Sequence, residues 1–598
     1  MKSLKRADVL ALKASPSAYL PLADAVSAGD IEGLRPLRVS FLASFTAEPL
    51  RPYVVVEATP FGLKTELWFG PFNQFEQQIL DARSGAYSAP PDVVVLALRI
   101  EEASPAIAGG AIDESVAEQE LASLRERIEG MVNGVRARTT APILIWNFAD
   151  PYLVGAGLAD AISPTPQIEV IQKANAMLAE LARSSPGVHI FDARRLAVEL
   201  GRAHWHDAKL FHMARIPFSP EAQRFIGRRL ARYLNALVKA PRKCLILDLD
   251  NTLWGGVVGE EGVGGIALGE EYPGSAYKTF QRYLLSLKRR GVLLAIASKN
   301  NPEDALEVLR DHPDCLLRPN DFVAVHIGWN NKAESIAAVA RQLNVGIDSL
   351  VFFDDSAVER ESVRREYPDV LVVDVPPSPL GYIDALEDAG AFDFLHVSIE
   401  DRRRTEAYIE QRERDSLRRM ATNPEEFLRA LEMRAKIGRV DNSTLGRVVQ
   451  LLAKTNQFNV TTRRHDAAAI QRLLDDGAIV LWMRLEDRFG DNGLTGVAIA
   501  RPSEARVWTV DSLLLSCRII GRQAERALLG WVCRLVRESG ATELRGEYIP
   551  SPKNAPAANV FADCGFVSMD DKGSWWRWDC ESGDVPEPNF IAVELVGG

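Results

Sequence analysis

Two aspartates two residues apart, Asp248 and Asp250, stand in LILDLDNTLW (245–254), where an apolar run ends abruptly. Carboxylates that close repel one another, and the pair is costly unless a cation or a proton transfer uses it. Ser298 stands at the end of a second apolar run, VLLAIA (292–297), just ahead of Asn301, Pro302, Glu303 and Asp304. Those four residues read as the N-cap, first helical position and acidic first turn of a helix. A serine beside a helix N-terminus is placed where phosphate binds readily. Lys332 opens a segment with the apolar stripe Ile336, Val339 and Leu343, and LVFF (350–353) runs into Asp354 and Asp355. The charge on a phosphoryl group in transfer calls for a metal, a lysine and pre-aimed donors. A carboxylate nucleophile splits its displacement into two easier steps.

Positioning these groups requires a parallel sheet, in which functional groups gather at the carboxyl ends of the strands. Ser275–Arg290 is amphipathic, with Tyr277, Phe280, Leu284 and Leu287 on one face, and Gly291 ends it. Helices of this kind between buried strands give an α/β domain over about 241–400. Ahead of it, 1–240 alternates expected strands (37–44, 54–60, 92–100, 142–148, 188–194) with expected helices (116–135, 167–183, 219–238), a second α/β unit. The charged run 400–420 reads as a solvated connecting helix within a linker, 401–435. Residues 436–598 carry expected strands at 478–487, 495–501, 507–516 and 543–549 and a helix near 521–538, a separate α+β domain. The fold class expected is therefore multidomain α/β, with the parallel sheet of 241–400 at its centre.

A chain of 598 residues is too long for one core, and 47% hydrophobic with 25% charged residues is ordinary for a globular protein. The net charge of −11 argues against nucleic acid as a partner. No stretch is long and apolar enough to span a bilayer, and the N-terminus lacks the apolar core of a signal peptide. Six cysteines, none in a C-x-x-C pair, argue against a zinc site and fit a reducing, cytoplasmic setting.

The order D-x-D-x-T, Ser, Lys, D-D resembles the four motifs of the haloacid-dehalogenase (HAD) superfamily. The resemblance implies Asp248 as nucleophile and Asp250 as general acid/base. It implies Mg2+ held by the Asp248 carboxylate, the Asp250 backbone carbonyl and Asp354, with Asp355 close by. It implies Thr252, Ser298 and Lys332 as phosphate-binding residues. Further segments narrow the likeness: WGGVVGEEG (254–262), FFDDSAVERESVR (352–364), KTNQFNVTTRR (454–464), DRFGDNGLTG (487–496), LLLSCRIIGR (513–522) and IPSPKNAPAANVFADCGF (549–566). These closely resemble the FkbH-like branch of the superfamily. Its members load a three-carbon unit from 1,3-bisphosphoglycerate onto an acyl carrier protein for polyketide assembly, by way of an enzyme thioester. The implied partners are thus an acyl carrier protein and a small phosphorylated three-carbon substrate.

One departure matters. The family usually has a cysteine immediately before the motif-two serine, and here that position is Ala297. Cys517 is the other thiol that matches the family pattern. Three outcomes stay open: Cys517 carries the acyl group, the carrier's thiol attacks the acyl phosphate directly, or the chain is a plain phosphohydrolase without the transfer step. A docking protein whose sites are relics fits less well, since the costly charged cluster is intact.

The C-terminal domain resembles the GNAT acyltransferase fold, which implies pantetheine binding at Arg518, Gly521 and Arg522, a partial match to R-x-x-G-x-G/A. The N-terminal domain resembles an SGNH-hydrolase fold, with Ser44 at the serine position. No clean Asp-x-x-His follows; Asp207 and His212 are five apart, so a degenerate structural or docking domain is expected. The G-x-D-S-L sequence at 346–350 looks like a phosphopantetheine attachment site, but it leads into the apolar strand ahead of Asp354, so the carrier must be a separate protein.

Overall fold

A computed structural model describes residues 16–596 except 30, 32, 111, 398, 442, 456, 571 and 572; the side chain of Cys517 also lies outside the described residues. The chain divides into two compact units, residues 1–318 with 324–401, and residues 319–323 with 402–598. Among the described residues no helix is long and apolar enough to cross a membrane.

The first unit holds two parallel sheets. Strands β1 (Arg35–Ala43), β2 (Leu63–Phe69), β3 (Val93–Ala97), β4 (Ile143–Trp146) and β5 (Val188–Phe191) form a sheet in the order β2-β1-β3-β4-β5. β3 is buried along its whole length because helices cover both faces. Val93, Val95 and Ala97 enter one core with helix Pro220–Val238, while Val94 and Leu96 enter another with helices Glu114–Arg136 and Gln167–Ser184. Period-two alternation thus divides one strand between two cores.

The strand expected at 54–60 is instead the helix Arg51–Ala58. Pro52 fits its first turn, and Val54, Val55 and Val56 are all buried there, so packing overrides their preference for strands. The strand pairing with β1 is β2, whose LKTELWF alternates buried and more open positions.

The second sheet comprises β6 (Cys244–Leu247), β7 (Leu293–Ser298), β8 (Phe322–Ile327), β9 (Leu350–Phe353) and β10 (Leu371–Val372), in the order β10-β9-β6-β7-β8. Helix Gly274–Arg289 buries Tyr277, Phe280, Leu284 and Leu287, the stripe expected from the sequence.

The second unit carries a mixed sheet of β11 (Met433–Arg439), β12 (Phe458–Asn459), β13 (Ile479–Asp487), β14 (Gly490–Glu504), β15 (Val507–Leu515), β16 (Glu543–Glu547), β17 (Val567–Ser568), β18 (Trp575–Asp579) and β19 (Ile591–Val596). β15 and β16 run parallel, joined through helix Ala524–Glu538. β11 begins inside the stretch read as linker. The charged run forms helix Arg404–Met420, as expected, but it is not wholly solvated. Arg414 is 3% exposed and grips Asp487 of β13 bidentately, at 2.7 and 2.9 Å. A buried guanidinium needs such a partner, and the fork geometry supplies two bonds at once.

Candidate active site

β6 and β9 are neighbours, with Leu247 level with Phe353, so Asp248 and Asp354 emerge side by side from the two strand ends. Here the strand order reverses, the place where open parallel sheets bind ligands. Asp248 N donates to Phe353 O at 3.1 Å, which carries the pairing one residue further. Lys332 opens helix Lys332–Leu343, capped by the Asn331 side chain, which accepts from Ala333 N. Its ammonium stands 2.7 Å from Asp248 Oδ2 and 2.5 Å from Asp354 Oδ2.

Carboxylate oxygens of Asp248, Asp354 and Asp355 lie within 4.8 Å of one another. Three carboxylates against one ammonium leave negative charge uncompensated, and Asp248 Oδ1 is buried with no hydrogen-bond partner. An orphaned carboxylate oxygen in an all-oxygen cluster fits a hard divalent cation such as Mg2+. Burial and the Asp248 charge hold the Asp354 pKa above the usual carboxylate range, outweighing Lys332. The same two causes raise Asp355. For Lys332, burial pulls downward but the two carboxylates prevail, so it stays charged. Arg360 Nη1 donates to the carbonyls of Asp354 and Asp355, both at 2.7 Å, and fixes this strand end.

The Asp250 carboxylate is not part of that cluster. Its Oδ1 accepts from Trp254 Nε1 at 2.8 Å and from Val258 N at 3.2 Å, and its Oδ2 from Asn300 Nδ2 at 2.9 Å. Burial nevertheless raises its pKa, more than those donors lower it. A carboxyl so raised and so rigidly aimed can hold a proton and hand it over. Asn251 turns the chain at φ 52, and Tyr382 donates to its carbonyl at 2.7 Å.

Leu247 is also level with Ile296, so Ala297 lies beside Asp248 and buried Ser298 follows at the end of β7. Ala297 itself is fully buried. Thr252 is fully buried too, with its hydroxyl unpartnered. Sequence reasoning missed Trp254, Asn300 and Arg360. Trp254 and Asn300 each stand within four residues of a named motif position, which is the signal that was there to read.

The remaining candidates lie elsewhere. Arg518 is exposed; Gly521 takes φ 78; Arg522 is buried and donates to Asp487 Oδ2 at 2.8 Å. All three line a cavity of about 460 Å3, joined there by Arg414 and Arg418 of helix Arg404–Met420. In the first unit Ser44 is fully buried, donating to Glu102 Oε2 at 3.3 Å and accepting from Arg99 N at 3.0 Å. Asp207 caps helix Ala208–Ala214, accepting from Leu210 N, and His212 is exposed on that helix. Neither is a partner of Ser44, and among the described residues no histidine bonds to it. The turn Ile347–Ser349 is the entry to β9, and the Ser349 carbonyl accepts from Lys243 N.

Residues 43–232 match the family described as FkbH, N-terminal domain. A search of curated proteins finds no match. Among solved structures, the chain is similar to the N-terminal part of the protein BF1531 from Bacteroides fragilis, described as containing a phosphatase domain complexed with Mg. The two share 26% identity at a TM-score of 0.54, over 63% of this chain and 99% of that one. An acetyltransferase of the GNAT family from Staphylococcus aureus is similar over 25% of this chain and 99% of its own, at 11% identity and a TM-score of 0.21. The fold and the acidic strand ends define an enzyme of the haloacid-dehalogenase type. Residues 43–232 match the FkbH N-terminal domain, and the chain as a whole is similar to enzymes of that type.

Proposed function

We propose that the chain is a Mg2+-dependent phosphoryl-transfer enzyme that takes a three-carbon acyl phosphate such as 1,3-bisphosphoglycerate and delivers the glyceryl group to an acyl carrier protein. The observation that carries this reading is the buried junction of Asp248, Lys332 and Asp354 at the point where the strand order reverses. Asp248, Asp354 and the backbone carbonyl of Asp250 would hold the cation, with Asp355 beside them. When bound, it neutralises charge on the phosphoryl oxygens.

Asp248 attacks phosphorus, forming an aspartyl-phosphate as the ester P–O bond breaks. Asp250 gives its proton to the leaving alkoxide, then takes one from the water that hydrolyses the intermediate. Lys332, Ser298 and Thr252 would bind the phosphoryl oxygens. Attack at the acyl-phosphate end would discard the activated carbonyl. The phosphoryl group taken by Asp248 is therefore the ester phosphate, and the acyl phosphate is kept for a thiol.

That thiol is not at residue 297, where a buried alanine stands. The arginine-lined cavity at Arg518, Gly521 and Arg522 supports a phosphopantetheine arm reaching the enzyme from the carrier. Direct attack by the carrier's thiol, which forms the thioester as the acyl C–O bond breaks and inorganic phosphate leaves, is favoured over an acyl group on Cys517, because the acyl phosphate is already activated. The domain limits 1–240, 241–400, 401–435 and 436–598 remain part of this proposal.

Ala297 also favours a second reading, a phosphohydrolase without transfer. Incubation with 1,3-bisphosphoglycerate, with and without a carrier protein, separates the two by phosphate release and intact-protein mass. A glyceryl adduct on the carrier supports loading. Phosphate release with no carrier adduct leaves the phosphohydrolase, and no phosphate release removes both.

A further inference from the structure

A smaller cavity, of about 50 Å3, lies at the carboxyl ends of β3, β4 and β5, where a parallel sheet presents its binding groups. Trp146, Trp205 and Phe218 give it an aromatic lining. Trp146 is 2% exposed, stacked on Phe191 at 4.7 Å, and its indole N–H has no acceptor. Arg99 Nη1 is likewise buried without a hydrogen bond. It lies 3.5 Å from Glu102 Oε1 in a long ion pair, while Nη2 pairs with Glu101 at 2.6 Å. Arg202 lines the same cavity and stacks over Tyr152 at 5.1 Å, with no carboxylate partner among the described residues.

Asn147 and Asp150, also in the wall, are engaged. Asn147 donates to Asp192 and accepts from Arg194 N, and Asp150 pairs with Arg194 at 2.9 Å. Burial, and then the charge of Arg99, lower the His206 pKa. What is left over is donors. A buried donor without a partner is costly, and folded proteins rarely leave two in one wall.

We infer that this cavity binds a small monocarboxylate with a short apolar body, of about the size of acetate to butyrate. The carboxylate takes the Trp146 and Arg99 donors and the charge of Arg202, and the aromatic lining takes the chain. A phosphate dianion would find the same donors, but it would also meet Glu101 and Glu102 beside Arg99, and an apolar wall. The site is independent of the phosphoryl chemistry at Asp248.

The test is calorimetric titration of the full-length protein with butyrate, with butyramide and inorganic phosphate as comparison ligands. Butyrate is expected to bind in the millimolar range, with the other two at least tenfold weaker. Trp146→Phe keeps the ring and removes the N–H; Arg202→Gln removes the rim charge. Each is expected to weaken butyrate about tenfold (~1.4 kcal/mol) and to leave phosphate release at Asp248 unchanged. Arg202 is exposed, so that variant keeps the test valid should Trp146→Phe fold poorly. No butyrate binding, phosphate binding as tight as butyrate, or both variants binding butyrate like the native protein would each overturn the inference.

Discussion

Trp254 donates its indole N–H to Asp250 Oδ1 at 2.8 Å, from a fully buried ring four residues further along the chain. With Asn300 on the other oxygen, it sets the direction in which Asp250 can offer a proton. Trp254→Phe is expected to lower kcat for phosphate release by roughly 10- to 100-fold, the worth of a hydrogen bond to a charged group. Turnover equal to the native enzyme would show that Asp250 needs no such aiming.

Asp248→Asn should abolish phosphate release, because the amide cannot capture a phosphoryl group. Asp250→Asn should slow it by ~10^2–10^4-fold and lengthen the life of the aspartyl-phosphate. Rapid-quench intact mass after mixing with substrate reads both effects. Native-like turnover in either variant removes that residue's assigned role.

Chelation should stop phosphate release, and added Mg2+ should restore it. Three carboxylates with an unpartnered oxygen among them are a poor home for anything but a cation. Full activity after exhaustive EDTA treatment would separate this chain from metal-dependent phosphoryl transfer.

If the carrier's thiol attacks directly, Cys517→Ala retains most loading, while Arg518→Ala raises the carrier concentration needed for half-maximal rate. An acyl group found on Cys517 before carrier is added would sink direct attack.

Asp487 is shared by two guanidiniums, Arg414 and Arg522. Burial pushes its pKa up, but Arg414 outweighs that and leaves it below the usual range. Its stabilising contribution is therefore present above the unfolded value, about 3.9, and is lost as pH falls through the lower folded value. Arg414→Met should cost ~1–3 kcal/mol, because it removes two charge-assisted hydrogen bonds while Arg522 stays on Asp487, read as an earlier unfolding transition at pH 7. The gap between variant and native protein should narrow as pH drops below about 4. A constant gap from pH 7 to 3 would show that the pair contributes nothing through charge.

The strand ends at Asp248, Ser298 and Asp354 were legible because each apolar run stops abruptly at a polar residue. The helix at Arg51–Ala58 was not, since three successive valines look the same to periodicity whether a strand or a helix buries them. β2 was missed because only continuous apolar runs were read as strands, whereas LKTELWF alternates as a half-buried edge strand does. Arg414 was hidden in a run of charges, where nothing local distinguishes one buried arginine from its solvated neighbours. Of Asp250's partners, Trp254 stands only four residues on, whereas Asn300 meets it only through the lateral pairing of β6 and β7.

Asp248, Lys332 and Asp354 come from segments far apart along the chain and meet only once β6 and β9 have paired. The unfolded chain has no equivalent of this cluster. Any cation held there is therefore a ligand of the native state alone, and its binding free energy is also folding free energy. At a hundred times its Kd it would add ~2.7 kcal/mol to the stability of the fold. Cation supply would then set the stability of the folded protein as well as its turnover.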